Sequence, residues 1–287
     1  IEKVSDRKVR DEWKPLWGKR AVVEDHFNEL VIDLVNPAGQ PERMQLVVRG
    51  YNDGFAFCYK IPDGKGPCVN VQSELTAYNF AGDYTAWFYN GENHNIGPEK
   101  LTETDGTRLP VMTVKAGDKH YMAIHEACLE TGAPLVLQSK GGESLFSVAS
   151  KPTSLSPGYT SAWRVVLYGT TPGVLTDSHL LELLNPDPDS RYDFSWVKPG
   201  LAVWDWRING AVWDGFTYGM SYPSWVRMVD FAAEQGFKYL VLDANWYGPE
   251  FESDSDPVKG EKAQDVQRLL KYGKEKGVGI WLYLNDV

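Results

Sequence analysis

The pattern of apolar and polar positions changes once along the chain. From Trp13 to about Val166 the apolar runs are short, alternate with polar residues and break at turn residues. Glu29-Leu30-Val31-Ile32-Asp33-Leu34 leads through Asn36-Pro37-Ala38-Gly39 into Met44-Gln45-Leu46-Val47-Val48-Arg49. Further strands are expected at 54–60, 84–89, 111–114, 121–125, 135–138 and 162–167. Many short strands, frequent turns and almost no 3.6-residue periodicity predict an antiparallel β-sandwich. Residues 73–80 break the pattern and read as a short helix or an irregular strand entry.

Near residue 200 the period changes. Lys198-Pro199-Gly200 precedes the run Leu201-Ala202-Val203-Trp204-Asp205-Trp206, and a second run, Lys238-Tyr239-Leu240-Val241-Leu242-Asp243-Ala244-Asn245-Trp246, follows a helical stretch. That stretch, 222–235, places Trp225, Met228, Val229 and Ala232 at i, i+3, i+4 and i+7. Ser221 reads as its N-cap, Pro223 lies in its first turn and Gly236 ends it. Residues 263–276 repeat the device with Val266, Leu269, Leu270 and Gly273, ended by Gly277. A third run, Val278-Gly279-Ile280-Trp281-Leu282-Tyr283-Leu284, reaches Asn285-Asp286. Strand, helix, strand, helix, strand predicts parallel β/α units. A closed (β/α)₈ barrel takes roughly 250 residues. The three strands after Gly200 are therefore expected to be the first third of such a barrel.

Between the two regions, Thr176-Asp177-Ser178-His179, the apolar Leu180-Leu181-Glu182-Leu183-Leu184 and Asn185-Pro186-Asp187-Pro188-Asp189 read as a surface linker. The predicted organisation is a multidomain β plus α/β protein: a β-sandwich over 1–168, a linker over 169–195, and the first three βα units over 196–287.

Composition changes this picture in few places. A net charge of −10 argues against nucleic acid, whose binding needs a basic footprint. No apolar run approaches the ~20 residues that cross a bilayer, and residues 1–30 do not read as a signal peptide, one already cleaved being the alternative. Eleven Trp and fifteen Tyr suit carbohydrate, whose apolar faces stack on aromatic rings, although core packing also uses them. Cys58, Cys68 and Cys128 form no zinc pattern and are read as free thiols, with a Cys58–Cys68 pair as the alternative.

Ligands of parallel β/α folds gather at the carboxyl ends of the strands. Asp205, Trp206, Asp243, Asn245 and Trp246 fall there. Asp243 ends a strand suited to burial, so it is partly desolvated yet next to solvent. It suits sugar hydroxyls or a catalytic partner; the competing reading is a carboxylate bonded to the next loop's backbone. Alternation puts Trp204 and Trp206 on one side and Asp205 on the other, unless the strand has already ended. As paired carboxylates for glycoside hydrolysis, Asp205 and Asp243 are candidates by position. In the β-rich half, Glu126 of His125-Glu126-Ala127 lies among residues suited to burial and needs a cation or donors. Arg164 is the ordinary partner and calcium the other.

Several of these stretches together resemble glycoside hydrolase family 97. They are Tyr51-Asn52-Asp53-Gly54-Phe55-Ala56-Phe57, His125-Glu126-Ala127, Ser161-Ala162-Trp163-Arg164-Val165-Val166, Trp196-Val197-Lys198-Pro199-Gly200, Trp204-Asp205-Trp206 and Leu242-Asp243-Ala244-Asn245-Trp246. The resemblance covers essentially the whole chain. One departure is Cys58, where arginine is expected.

The resemblance implies an N-terminal β-supersandwich followed by a catalytic (β/α)₈ TIM barrel, incomplete here. It implies an exo-acting hydrolase of bacterial type, periplasmic or secreted, that cleaves terminal α-glucosidic or α-galactosidic linkages of an oligosaccharide or α-glycoside with the help of calcium. Glu126 is implied as a calcium ligand, and Trp204, Trp206, Asp243, Trp246 and Asn285 as substrate-binding residues. The catalytic carboxylates are expected beyond Val287, so the fragment alone is expected to be inactive. The alternative is a non-catalytic carbohydrate-binding β-sandwich protein.

Overall fold

The structure, a computed structural model, describes residues 1–38, 42–65, 67–91, 94–130, 132–252, 255–260 and 262–284. The chain divides into two compact units, Ile1–Tyr192 and Asp193–Val287.

The first unit is built from antiparallel strands: β1 (Lys3–Trp13), β2 (Val23–Val35), β3 (Arg43–Tyr51), β4 (Gly54–Lys60), β5 (Val69–Val71), β6 (Ala77–Asn79), β7 (Thr85–Tyr89), β8 (Asn95–Lys100), β9 (Asp105–Lys115), β10 (Tyr121–Ala127), β11 (Leu137–Lys140), β12 (Leu145–Val148), β13 (Thr153–Leu155) and β14 (Trp163–Gly169). The main path runs β1-β2-β3-β4-β14-β10-β9-β11-β12-β6, with β7 joining β9 to β8 and a small β13-β5 pair beside it. Alternation along β10 and β14 shows why one sheet supports two cores. Ala123, Ala127, Trp163, Val165 and Leu167 pack on one face with Val47, Ala56 and Cys58. Ile124 packs on the other with Phe88, Met112, Leu137 and Phe146, and Val166 lies against that cluster. Period two sends neighbours to opposite faces, so both faces are covered.

One expectation changes here. The first half of the predicted linker 169–195 belongs to the β unit: α1 (Pro172–Asp177) packs on β14, and α2 (Leu180–Leu183) lies beside β10. Leu180 and Leu184 enter the core around Trp163. Their apolar side chains gain more by burial than a linker offers. Within 73–80, the only strand among the described residues is the short β6, so the irregular strand entry is the reading that holds. Cys58, Cys68 and Cys128 are free, and burial pushes the Cys58 thiol up to about 11.

The second unit holds a three-stranded parallel sheet, β15 (Ala202–Trp204), β18 (Tyr239–Leu242) and β19 (Gly279–Leu282), in the order β15-β18-β19. Between its strands lie α3 (Asp205–Ile208), a hairpin of β16 (Val212–Trp213) and β17 (Phe216–Thr217), α4 (Tyr222–Gln235) and α5 (Ala263–Lys276). Trp225, Met228, Val229 and Ala232 of α4 are all buried, each large side chain contributing about 1.5–3 kcal/mol of transfer free energy. Gly236 and Gly277 end the two helices at φ 72° and 74°, a left-handed conformation that favours glycine. In α5, Val266, Leu269 and Gly273 face the sheet, whereas Leu270 is exposed. Ser221 stands at the N-cap of α4 without a side-chain cap bond. Among the described residues no helix is long and apolar enough to cross a membrane.

Candidate functional site

The carboxyl end of the parallel sheet is organised by a buried aspartate. β15 pairs Trp204 with Val241, and the strand ends there: Asp205 opens α3. The alternation argument therefore stops at Trp204, and Asp205 turns inward to 1% exposure. Its Oδ2 accepts from Trp225 Nε1 at 2.9 Å and its Oδ1 from the Asp243 amide at 2.9 Å. Burial pushes the Asp205 carboxyl up; these N–H donors pull it back, and the nearby charge of Asp243 adds to the rise. Asp205 is a joint between β15, α4 and the exit of β18.

Asp243 follows β18 and is half-buried. Its Oδ2 accepts from Trp204 Nε1 at 2.6 Å and its Oδ1 from the Ala244 amide at 2.7 Å. Asp243 therefore makes both the backbone bond of the competing reading and a bond to Trp204 that no local sequence signal marks. Trp204 is 37% exposed, with the Arg207 guanidinium 4.8 Å from its ring centroid. Trp204, Asp243 and Arg207 thus form one polar and aromatic surface. Carboxylate oxygens retain lone pairs after one bond each, so Asp243 still accepts from hydroxyls.

The other expected contacts separate. Trp206 is 51% exposed. Trp246 is not at the rim: it is 3% exposed in the core of the unit, and its Nε1 donates to the Tyr283 carbonyl at 2.6 Å. Because that bond ties the loop after β18 to the chain after β19, Trp246 shapes the rim from below. Asn245 adopts φ 69°, and its Oδ1 accepts from the Glu250 amide at 3.2 Å, which folds the loop back on itself. Asn285 lies outside the described residues. Sequence reasoning missed Arg207 altogether. It took Trp225 only as a core residue, although an indole buried at 0% with a polar N–H needs an acceptor.

Glu126 belongs to the first unit, directly opposite Arg164 in the β10–β14 register. Its Oε2 accepts from the Leu135 amide at 2.5 Å and lies 3.6 Å from Arg164 Nη1. Burial raises the Glu126 carboxyl, opposed by that amide and by Arg164. Arg164, 3% exposed, gives its two good bonds to Glu74, Nε to Oε1 at 3.0 Å and Nη2 to Oε2 at 2.6 Å. The ordinary partner is therefore present but shared. The Glu74–Arg164 pair also lines a cleft of about 960 Å³ within this unit.

Calcium takes six to eight oxygen ligands. As a hard carboxylate, Glu126 fits one of them. Among the described residues no group of three or more carboxylate, imidazole or thiol side chains that could hold a metal converges.

Comparison with known proteins bears on both units. Residues 1–186 match the family model described as glycosyl-hydrolase 97 N-terminal. The chain belongs to glycoside hydrolase family 97. Residues 203–287 match the family model described as glycoside hydrolase 97. This family 97 chain is 27% identical to a retaining alpha-galactosidase of Bacteroides thetaiotaomicron, over 97% of the chain and 47% of that protein. It is 29% identical to a probable retaining alpha-galactosidase of Streptomyces bingchenggensis, over 85% of the chain and 38% of that protein. In fold it is similar to a family 97 enzyme of Pseudoalteromonas sp. solved with acarbose, at TM-score 0.76 and 24% identity, over 98% of the chain and 45% of that structure. The chain spans about half the length of the curated relatives it matches, or less.

Proposed function

We propose that the whole protein containing this chain is an exo-acting glycoside hydrolase that cleaves terminal α-galactosidic linkages with retention, α-glucosidic linkages being the second substrate class. The observation that carries this is the match of both units to one hydrolase family, with retaining alpha-galactosidases among the relatives. The rim of Trp204, Asp243 and Arg207 suits the substrate, because a sugar offers an apolar face to stack and hydroxyls to bond. Trp206, two residues on from Trp204 and 51% exposed, is proposed as a second ring for the sugar. The three parallel strands and their helices are read as the start of a (β/α)₈ barrel, whose active face is the one carrying this rim.

Retaining hydrolysis needs an acid and a nucleophilic carboxylate ≈ 5–5.5 Å apart. Asp205 is buried and committed to two N–H donors, and Asp243 is committed to the rim. We therefore place the reacting carboxylates outside residues 1–287 and give this chain the task of holding the sugar. Glu126 is proposed as one ligand of a calcium ion, which when bound would supply positive charge; no step on this chain depends on it.

The test is turnover by the whole protein. Release of nitrophenol from p-nitrophenyl α-galactoside, faster than from the α-glucoside, supports the reading. Sugar binding without turnover of either points instead to a carbohydrate-binding protein. Calcium titrated into metal-stripped whole protein should bind at least about tenfold more weakly when Glu126 is changed to Gln, as expected for loss of a charged oxygen ligand. Equal binding removes Glu126 from the site.

A further inference from the structure

Asp205 takes no part in the reaction proposed above and touches the rim only beneath its surface, through the Asp243 amide, yet it is the most buried carboxylate among the described residues of its unit. Burying a charge costs several kcal/mol unless donors surround it. A strand end and a helix are joined at lower cost by apolar side chains, so what this carboxylate does there needs an account. The geometry supplies one. Two N–H groups from different elements, Trp225 Nε1 on α4 and the Asp243 amide beyond β18, point at separate oxygens of one side chain. Only a carboxylate of this length offers an acceptor on both branches; an asparagine would set an NH₂ against one of the donors.

The Asp243 amide is the first beyond the last residue of β18, where the chain leaves the sheet. Holding that N–H fixes the direction in which residue 243 departs and so where its carboxylate lies. The carboxylate in turn receives Trp204 Nε1 at 2.6 Å, which sets the plane of the ring that Arg207 covers. From Trp225 to Asp205, Asp243 and Trp204 the bonds form one connected chain from the core to the surface. A displacement of about 1 Å at such a surface is enough to weaken productive binding severely.

We propose that Asp205 is a positioning residue for the sugar-binding rim: by accepting the Asp243 amide it aims the Asp243 carboxylate and, through it, the Trp204 indole. The inference rests on the reading of that rim as sugar-binding. It adds the residue that holds the rim in shape.

The test uses the whole protein, the single variants D205N and D243A, and D205N combined with D243A or with W225F. D205N is expected to raise KM for the α-glycoside about tenfold while kcat stays within about threefold, because a ground-state contact is loosened and the reacting groups are untouched. In a D243A background, D205N should add less than about twofold, since a residue that acts through Asp243 has nothing left to aim. D205N combined with W225F should recover most of the lost affinity. With the indole donor gone, the asparagine can turn its NH₂ to that side and accept the Asp243 amide again. Additive losses in the D243A background, or no recovery in the double variant, overturn the proposal and leave Asp205 as a packing joint. The double variant also serves if D205N alone fails to fold, since its donor clash is relieved.

A second readout does not depend on activity. With ¹⁵N-labelled tryptophan, the Trp204 indole resonance, assigned with W204F, should move in D205N while that of Trp246 stays in place. A Trp204 resonance that stays put in folded D205N overturns the proposal even if the enzyme is active. Absence of turnover in the unaltered protein sinks the hydrolase reading, and the spectrum still decides the positioning claim.

Discussion

At the scale of single residues, the chain places charges in three different balances. Glu29, 7% exposed, meets Arg7 Nε at 2.5 Å and Arg49 Nε at 2.8 Å, and the Arg49 guanidinium lies 4.5 and 4.8 Å from the ring centroids of Phe27 and Trp163. Burial alone raises the Glu29 carboxyl, but the two guanidiniums outweigh it and hold it below its usual range. A carboxyl lowered on folding adds stability above its unfolded pKa of about 4.3 and loses it as pH falls through the lower folded value. E29Q should therefore flatten the acid limb of stability against pH; an unchanged limb in urea melts between pH 5 and 2 contradicts this. Arg164 depends on Glu74 in another way, since removing one partner of a buried pair strands the other. E74A is expected to destabilise the first unit by about 3–5 kcal/mol in denaturant melts, and a change below about 1 kcal/mol would show the pair to be solvated. At the rim, W204F keeps the ring and deletes the donor to Asp243, so KM should rise several-fold with kcat little changed.

At the scale of elements, what could be read depended on whether burial or bonding placed the residue. Helices α4 and α5 were legible to their ends, because a 3.6-residue apolar stripe and a left-handed glycine are both local signals. Leu270 misled because an apolar residue at i+4 from Val266 was counted into the stripe, while Gly273 on the facing side shows where contact is tight. A Cβ at Gly273 would stand 2.6 Å from the Val278 carbonyl oxygen. G273A should cost about 1–3 kcal/mol by forcing α5 off β19, measured by thermal melting, and a neutral result would contradict the close approach. Strand β1 was invisible because Lys3-Val4-Ser5-Asp6-Arg7-Lys8 carries the charges of an edge strand, where solvent rather than a core faces the side chains. Helices α1 and α2 were hidden by flanking Pro and Asp residues that also suit a linker. Trp204 and Asp243 were legible by position at strand ends. Their bond to each other was not, because it joins residues 39 apart in sequence through side-chain geometry. Trp246 was misplaced for the same reason: a tryptophan after a strand reads alike whether it faces solvent or core.

At the scale of the whole molecule, the order of the motifs carried more information than any of them alone. Tyr51-Asn52-Asp53-Gly54, His125-Glu126-Ala127 and Trp204-Asp205-Trp206 are each modest, yet their succession pointed to the family that the two matched models assign. The chemistry was less legible, because glycoside hydrolysis normally uses paired carboxylates, whereas the two legible here, Asp205 and Asp243, are bonded to Trp225 and to Trp204. Under the proposed function, this chain would hold the sugar within a retaining exo-hydrolase. The most direct measurement is proton NMR of the whole protein acting on p-nitrophenyl α-galactoside, following the first sugar released before mutarotation. The account predicts α-galactose as the first product; β-galactose first, or no hydrolysis, would contradict it.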